Sequence, residues 1–166
     1  MARRLGVALG ADGRRIVTAE SCTGGLVAAA CTSIEGSSDW FDGAFVTYTL
    51  DAKVRYLGVD ADLLATHGAV SEPTARAMAE GALARSAADL AVAVTGIAGP
   101  GGGEPMTPVG TVWFAWSMRE LEAVVTRRTA VHRLTGSRAT VRTGAVQVAL
   151  EGMLALVAST CAGRRR

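Results

Sequence analysis

Apolar positions follow two rhythms along this chain, and their alternation predicts its elements. Leu5, Val7, Ala8 and Leu9 give residues 2–11 a helical pattern, ended by Asp12-Gly13. The short apolar run 16–19 reads as a strand, 23–34 as a helix of small residues stopped by Glu35-Gly36, and 43–49 as a second strand. That strand continues into a helical stretch at 51–58, with Asp51 as the expected N-cap and Gly58 as the stop. Residues 60–66 fit one or two further helical turns. Ser71-Glu72-Pro73 opens the next helix with proline at its first position, and Ala75, Met78, Ala79, Ala82 and Leu83 are its buried stripe. Residues 90–95 are almost continuously apolar, the pattern of a strand covered on both faces. Residues 109–117 and 123–134 read as two strands joined around 118–122. Thr135-Gly136-Ser137 then caps a long last helix over 138–159.

Strands and helices alternate first, and two strands then meet as a hairpin. This order predicts an α/β fold, a three-layer α/β/α sandwich around a mixed sheet. No repeat period and no linker rich in Pro or Ser divides the chain, so residues 1–166 are expected to form one domain, with a disordered tail from about 160.

Composition narrows the function classes. Of 166 residues, 49 % are hydrophobic and 19 % charged, which suits an ordered core. The net charge is only +2, and the tail Arg164-Arg165-Arg166 supplies part of the basic balance as a solvated end. Aromatics are 5 %, with no basic-aromatic stripe for base stacking, so no nucleic-acid partner is expected. No cationic-then-apolar leader opens the chain. Glu151 and Gly152 interrupt the apolar C-terminal segment, which is expected to fall short of membrane-spanning length. The expectation is a soluble cytoplasmic protein without a membrane partner. Cys22, Cys31 and Cys161 fit neither a disulfide framework nor a zinc pattern, and no metal is expected. Cys31 and Cys161 suit small core positions. Cys22 sits at a helix start that would favour a thiolate, but the only histidines, His67 and His132, are distant in sequence.

The densest chemistry lies in Thr18-Ala19-Glu20-Ser21-Cys22-Thr23-Gly24-Gly25, a strand, tight turn and helix start. Glycines let backbone N–H groups approach a ligand, and a helix start offers unpaired donors, so anions and developing oxyanions belong there. The plainer reading is that Ser21 or Thr23 caps the helix and the glycines ease the bend. A second glycine-rich loop, residues 96–103, also follows a strand, and in open α/β sheets ligands bind at those strand ends. Neither loop is a GxGxxG or a GxxxxGK[ST]. Lys53 is the only lysine, against sixteen arginines. Lysine can be tuned into a base and arginine cannot. Chance retention in an Arg-rich chain is the alternative. Arg138 stands at a helix start that disfavours a cation by roughly 0.3–1 kcal/mol unless an anion binds there. Arg142 lies one turn on, and both arginines could instead be solvated.

Six blocks occur in order: Thr18 to Gly25 as above; Phe45-Val46-Thr47-Tyr48 with Ala52-Lys53; Leu57-Gly58-Val59; Gly68-Ala69-Val70-Ser71-Glu72-Pro73; Thr95-Gly96-Ile97-Ala98-Gly99-Pro100; and Pro108-Val109-Gly110-Thr111-Val112-Trp113. Together they resemble the CinA C-terminal domain family over residues 5–158, nearly the whole chain. The resemblance implies hydrolysis of the carboxamide of nicotinamide mononucleotide to nicotinate mononucleotide and ammonia, in pyridine nucleotide salvage. It further implies a mixed, mostly parallel five-stranded sheet, no metal or cofactor, a small mononucleotide substrate and a homodimer. The pyrophosphatase-type domain at the front of longer members is expected to be absent.

Carried onto matching positions, the resemblance implies a site of Ser21, Thr23, Ser38, Tyr48, Lys53, Thr95 and Arg138 or Arg142. Ser38 is the expected nucleophile, with Lys53 as base and Tyr48 orienting or relaying the proton. Ser21, Thr23, Gly24, Thr95, Gly96, Gly99, Arg138 and Arg142 are the expected substrate contacts. Three positions depart from the family's pattern: Leu50 replaces a polar amide, Thr107 a lysine and Ser137 an aspartate. They support an alternative, a catalytically silent ligand-binding domain of the same fold.

Overall fold

The computed structural model describes residues 1–119 and 124–163. In chain order the elements are α1 (Ala2–Asp12), β1 (Ile16–Glu20), α2 (Leu26–Thr32), a 3₁₀ turn (Ser37–Asp39), β2 (Phe41–Val46), α3 (Leu50–Leu57), α4 (Ala61–His67), α5 (Glu72–Ala84), β3 (Leu90–Gly96), β4 (Thr111–Arg119), β5 (Val124–Arg133) and α6 (Arg138–Gly163). The expected hairpin connection falls largely on residues 120–123, outside the described residues. So do the side chain of Cys161 and the tail Arg164-Arg165-Arg166.

One five-stranded sheet runs in the order β2-β1-β3-β4-β5. β1 pairs in parallel with both β2 and β3, while β4 is antiparallel to β3 and β5 to β4. Four strands therefore share one direction and only β4 opposes them. Alternate strand residues feed two cores. Ile16, Val92, Val94, Phe114 and Trp116 pack with α1, α2 and α6, whereas Val17, Ala19, Ala91, Ala93 and Ala115 pack with α5 and its neighbours. The expected α/β/α sandwich is present.

Helix starts follow local chemistry. Ser71 accepts from Thr74 N–H at 3.3 Å, as its Ser-Glu-Pro sequence predicts. The expected cap Asp51 is displaced by Thr49, whose hydroxyl accepts from Ala52 N–H at 3.1 Å. Asp51 instead pairs with Arg55 one turn on. The helix expected from residue 23 starts at Leu26, because Gly24 and Gly25 take positive φ (61° and 93°) and hold the chain out of helical geometry.

Helix α6 requires a correction. Over Arg138–Thr160 it is long and apolar enough to cross a membrane by length and composition, despite Glu151 and Gly152. Here it is a core element. Val141, Ala145, Ala149 and Met153 are buried, and the absence of a side chain at Gly152 lets the Trp116 ring lie against the helix. Trp116 Nε1–H donates to Ala149 C=O at 3.0 Å. The helix also continues through the expected tail boundary to Gly163, and Arg14 donates to Thr160 Oγ1 at 2.7 Å.

Candidate active site

The parallel register brings the C-terminal ends of β1, β2 and β3 together, with Glu20 opposite Val46 on one side and Val94 on the other. Beyond these ends lies a cavity of about 260 Å³ lined by Ser21, Cys22, Tyr48, Lys53, Thr95, Gly96, Gly99 and Arg138 among others. It sits where an open α/β sheet places ligands.

Glu20 builds the turn on which Ser21 stands. Its buried carboxylate accepts from the N–H groups of Gly25 (2.9 Å), Val27 (3.1 Å) and Ala28 (2.8 Å), and from Thr18 Oγ1 (3.1 Å). The first turn of α2 is thereby satisfied by a carboxylate supplied from β1. Ser21 N–H donates to Val94 C=O at 2.9 Å, tying the residue to β3.

Lys53 reaches this turn from α3. The side chain is fully buried, and its Nζ donates to Ser21 Oγ at 3.0 Å and to Thr47 C=O at 2.8 Å. Burial pushes the ammonium down from 10.5 to about 8. A buried amine with a lowered pKa touching a hydroxyl in a cavity is an arrangement suited to a base with its nucleophile. The thiol beside it is the opposite case: burial pushes Cys22 up to about 11, away from thiolate chemistry. Cys31 is buried, as expected, and its thiol rises to about 12 for the same reason.

Tyr48 and Arg138 close the mouth. Arg138 donates from Nη1 to Gly99 C=O and from Nη2 to the Tyr48 phenol oxygen, both at 2.9 Å. The guanidinium joins the loop after β3 to the segment after β2. Thr95 lines the cavity, but its hydroxyl donates to Ala69 C=O at 2.7 Å and so anchors the 69–70 segment.

Several expected site residues lie elsewhere. Ser38 is exposed in the 3₁₀ turn before β2, and the strand that follows starts at Phe41, opposite Ile16 at the beginning of β1. A six-residue strand, about 20 Å long, separates it from Lys53's end of the sheet, and the expected nucleophile Ser38 does not line the cavity. Arg142 donates to the carbonyls of Cys22 (3.1 Å) and Thr23 (2.8 Å) in the turn after β1 and does not line the cavity. Thr23 is fully buried and Gly24 shapes the turn beneath Arg142; neither lines the cavity. Leu50 is half exposed on α3 and does not line it either. Ser137 accepts from Thr140 N–H at 3.2 Å and caps α6. The cavity residues missed by sequence reasoning are chiefly Ala69, Val70, Gly101 and Gly102. Among the described residues no group of three or more His, Cys, Asp or Glu side chains could hold a metal.

Comparison with known proteins places these features in a family. The family model of the CinA C-terminal domain matches residues 1–157. The chain is 54 % identical over 138 residues to a CinA-like protein of Mycolicibacterium gilvum, covering 83 % of this chain and 32 % of that one. It thus spans about a third of the length of such relatives. It is 49 % identical over 151 residues to the nicotinamide-nucleotide amidohydrolase PncC of Escherichia coli, covering 91 % of this chain and 89 % of that one. The crystal structure of the competence/damage inducible protein CihA from Agrobacterium tumefaciens matches with a TM-score of 0.86 at 48 % identity, over 93 % of this chain and 92 % of that one.

Proposed function

The chain belongs to the CinA C-terminal domain family, and we propose that it hydrolyses the carboxamide of nicotinamide mononucleotide to nicotinate mononucleotide and ammonia. Its likeness to the Escherichia coli amidohydrolase over most of both chains supports the substrate. The observation that carries the mechanism is the buried contact between Lys53 Nζ and Ser21 Oγ at 3.0 Å. In this reading Ser21, not Ser38, is the nucleophile.

Neutral Lys53 takes the Ser21 hydroxyl proton as Oγ bonds to the carboxamide carbon, and the carbonyl electron pair moves onto oxygen. Among the described residues the N–H groups of Ala98 and Gly99 make no backbone hydrogen bond outside the regular elements, and they are among the donors that line the cavity for that oxyanion. Arg138 donates to the Tyr48 oxygen, which leaves the phenol's own proton to meet the leaving nitrogen. Collapse breaks the C–N bond, and ammonia departs with the proton that Lys53 had taken, relayed through Tyr48. Lys53 then deprotonates a water that cleaves the acyl ester and restores Ser21. A homodimer acting in the cytoplasm, without metal or cofactor, is the form this reading takes.

The test is ammonia release from nicotinamide mononucleotide by the wild type, Ser21→Ala and Ser38→Ala. The expected result is turnover by the wild type and by Ser38→Ala, with a loss of at least about 1,000-fold in Ser21→Ala. Full turnover in Ser21→Ala rules out the nucleophile; no release by the folded wild type rules out the substrate.

A further inference from the structure

A second cavity adjoins the first. It encloses about 200 Å³ and is lined by His67, Gly68, Glu104 and Thr107, and it shares Ala69, Val70, Ile97 and Gly102 with the cavity around Ser21. The two are chambers of one cleft, divided only by small and apolar residues. Neither alone reaches the range of about 300–1,000 Å³ usual for a small-molecule site, and together they fall within it. A ligand whose reacting group sits at Ser21 extends into the second chamber.

The chambers differ in charge. The first carries the cations Lys53 and Arg138. The second has no lysine or arginine in its lining, and its one carboxylate side chain is Glu104. A phosphate is repelled by the second chamber and attracted by the first. An ionised carboxylate only accepts hydrogen bonds and offers two oxygens, so it suits a pair of neighbouring hydroxyl donors. Glu104 lines the chamber from an exposed turn whose backbone is fixed. Its N–H donates to Thr107 C=O at 3.1 Å while Thr107 N–H returns a bond to Glu104 C=O at 3.0 Å, closing a tight turn. Its carboxylate makes no hydrogen bond or ion pair among the described residues. Thr107 stands where the family resemblance anticipates a lysine, which would neutralise Glu104.

We propose that this second chamber binds the ribose cis-diol of the nucleotide, with Glu104 accepting from both hydroxyls. The proposal rests on the amidohydrolase reading of the first chamber. It makes Glu104 a specificity residue that selects nicotinamide carried on a ribose over nicotinamide carried on any other group.

The experiment compares the wild type, Glu104→Gln and Thr107→Lys on nicotinamide mononucleotide and on 1-(4-phosphonobutyl)nicotinamide, which keeps the carboxamide and an anionic end but lacks the diol. Both substitutions are expected to raise KM for the nucleotide about tenfold with kcat held. KM for the diol-free analogue is expected to move less than twofold. An unchanged KM for the nucleotide overturns the proposal. So does an equal rise for both compounds, which would mean a displaced loop, or a fall for the nucleotide, which would place its phosphate beside Glu104. If the wild type releases no ammonia, the amidohydrolase reading fails separately, and calorimetric binding of nicotinamide mononucleotide decides the chamber. A Kd weakened about tenfold in Glu104→Gln supports it, and an equal Kd overturns it.

Discussion

Lys53 acts as a base only when its amine is neutral, and its burial sets the pH at which that occurs. With the group near 8, about one molecule in ten carries the neutral amine at pH 7; at the ordinary 10.5 it would be about one in three thousand. Burial therefore multiplies the competent fraction by about 300 at neutral pH. The expected profile of kcat/KM for ammonia release rises tenfold per pH unit below about 8 and levels off above it, with about 1 % of the plateau left at pH 6. The assay is nicotinate mononucleotide formation followed by chromatography between pH 6 and 9.5. Across that range Cys22 stays protonated, since burial holds it near 11, so a thiol cannot produce the same limb. Lys53→Arg supplies the control, because arginine keeps the positive charge but cannot give up its proton. It is expected to lose activity by about 1,000-fold or more and to lose the limb. A flat wild-type profile, or the same limb surviving in Lys53→Arg, refutes Lys53 as the base.

The same residue links stability to pH. Its folded-state value lies below its unfolded one, so the unfolded chain holds more protons between about 8 and 10.5, and stability rises with pH across that window. Urea midpoints at pH 8 and 10 should differ in the wild type and converge in Lys53→Met. Glu20→Gln replaces a carboxylate accepting three backbone N–H groups by an amide that brings its own donors, at a cost of roughly 1.5–3 kcal/mol. For a chain of this size that lowers the melting temperature by about 3–12 °C, measurable by calorimetry; an unchanged melting point would mean that α2 does not depend on this cap. Arg138→Ala frees Tyr48 and the Gly99 carbonyl together, with an expected fall in kcat of about 100-fold and an intact far-ultraviolet spectrum. Unchanged kcat would remove Tyr48 positioning from the mechanism.

Much of this was legible in the sequence because it is encoded locally. Ser71 and Gly58 mark helix ends through their own hydrogen bonding and backbone freedom, and the apolar run 90–95 announces a strand covered on both faces. The alternation of Ala91 and Ala93 with Val92 and Val94 even records which layer packs closer. What was illegible is long-range. Nothing near Arg142 in the chain indicates that it reaches the carbonyls of Cys22 and Thr23, 120 and 119 residues away. The distance of Ser38 from the cavity did have a signal: in parallel strands the site gathers after each strand, and Ser21 follows its strand while Ser38 precedes its own. In the sequence Glu20 reads with the chemistry of its stretch, because a carboxylate that caps a helix up to eight residues further along the chain looks no different from an acid in a turn.

The Glu20 clamp divides the pocket's labour in a way an engineer could use. The chemical half, Ser21 and Lys53, is fastened to the middle of the sheet and to α2 by buried bonds that any substitution must break. The opposite wall, residues 67–70 and 101–107, stands largely on exposed loops that contribute little to either core. Randomising that wall should therefore yield libraries in which most members still fold and still carry the acyl-transfer apparatus, so that new amide substrates can be sought without rebuilding the catalyst.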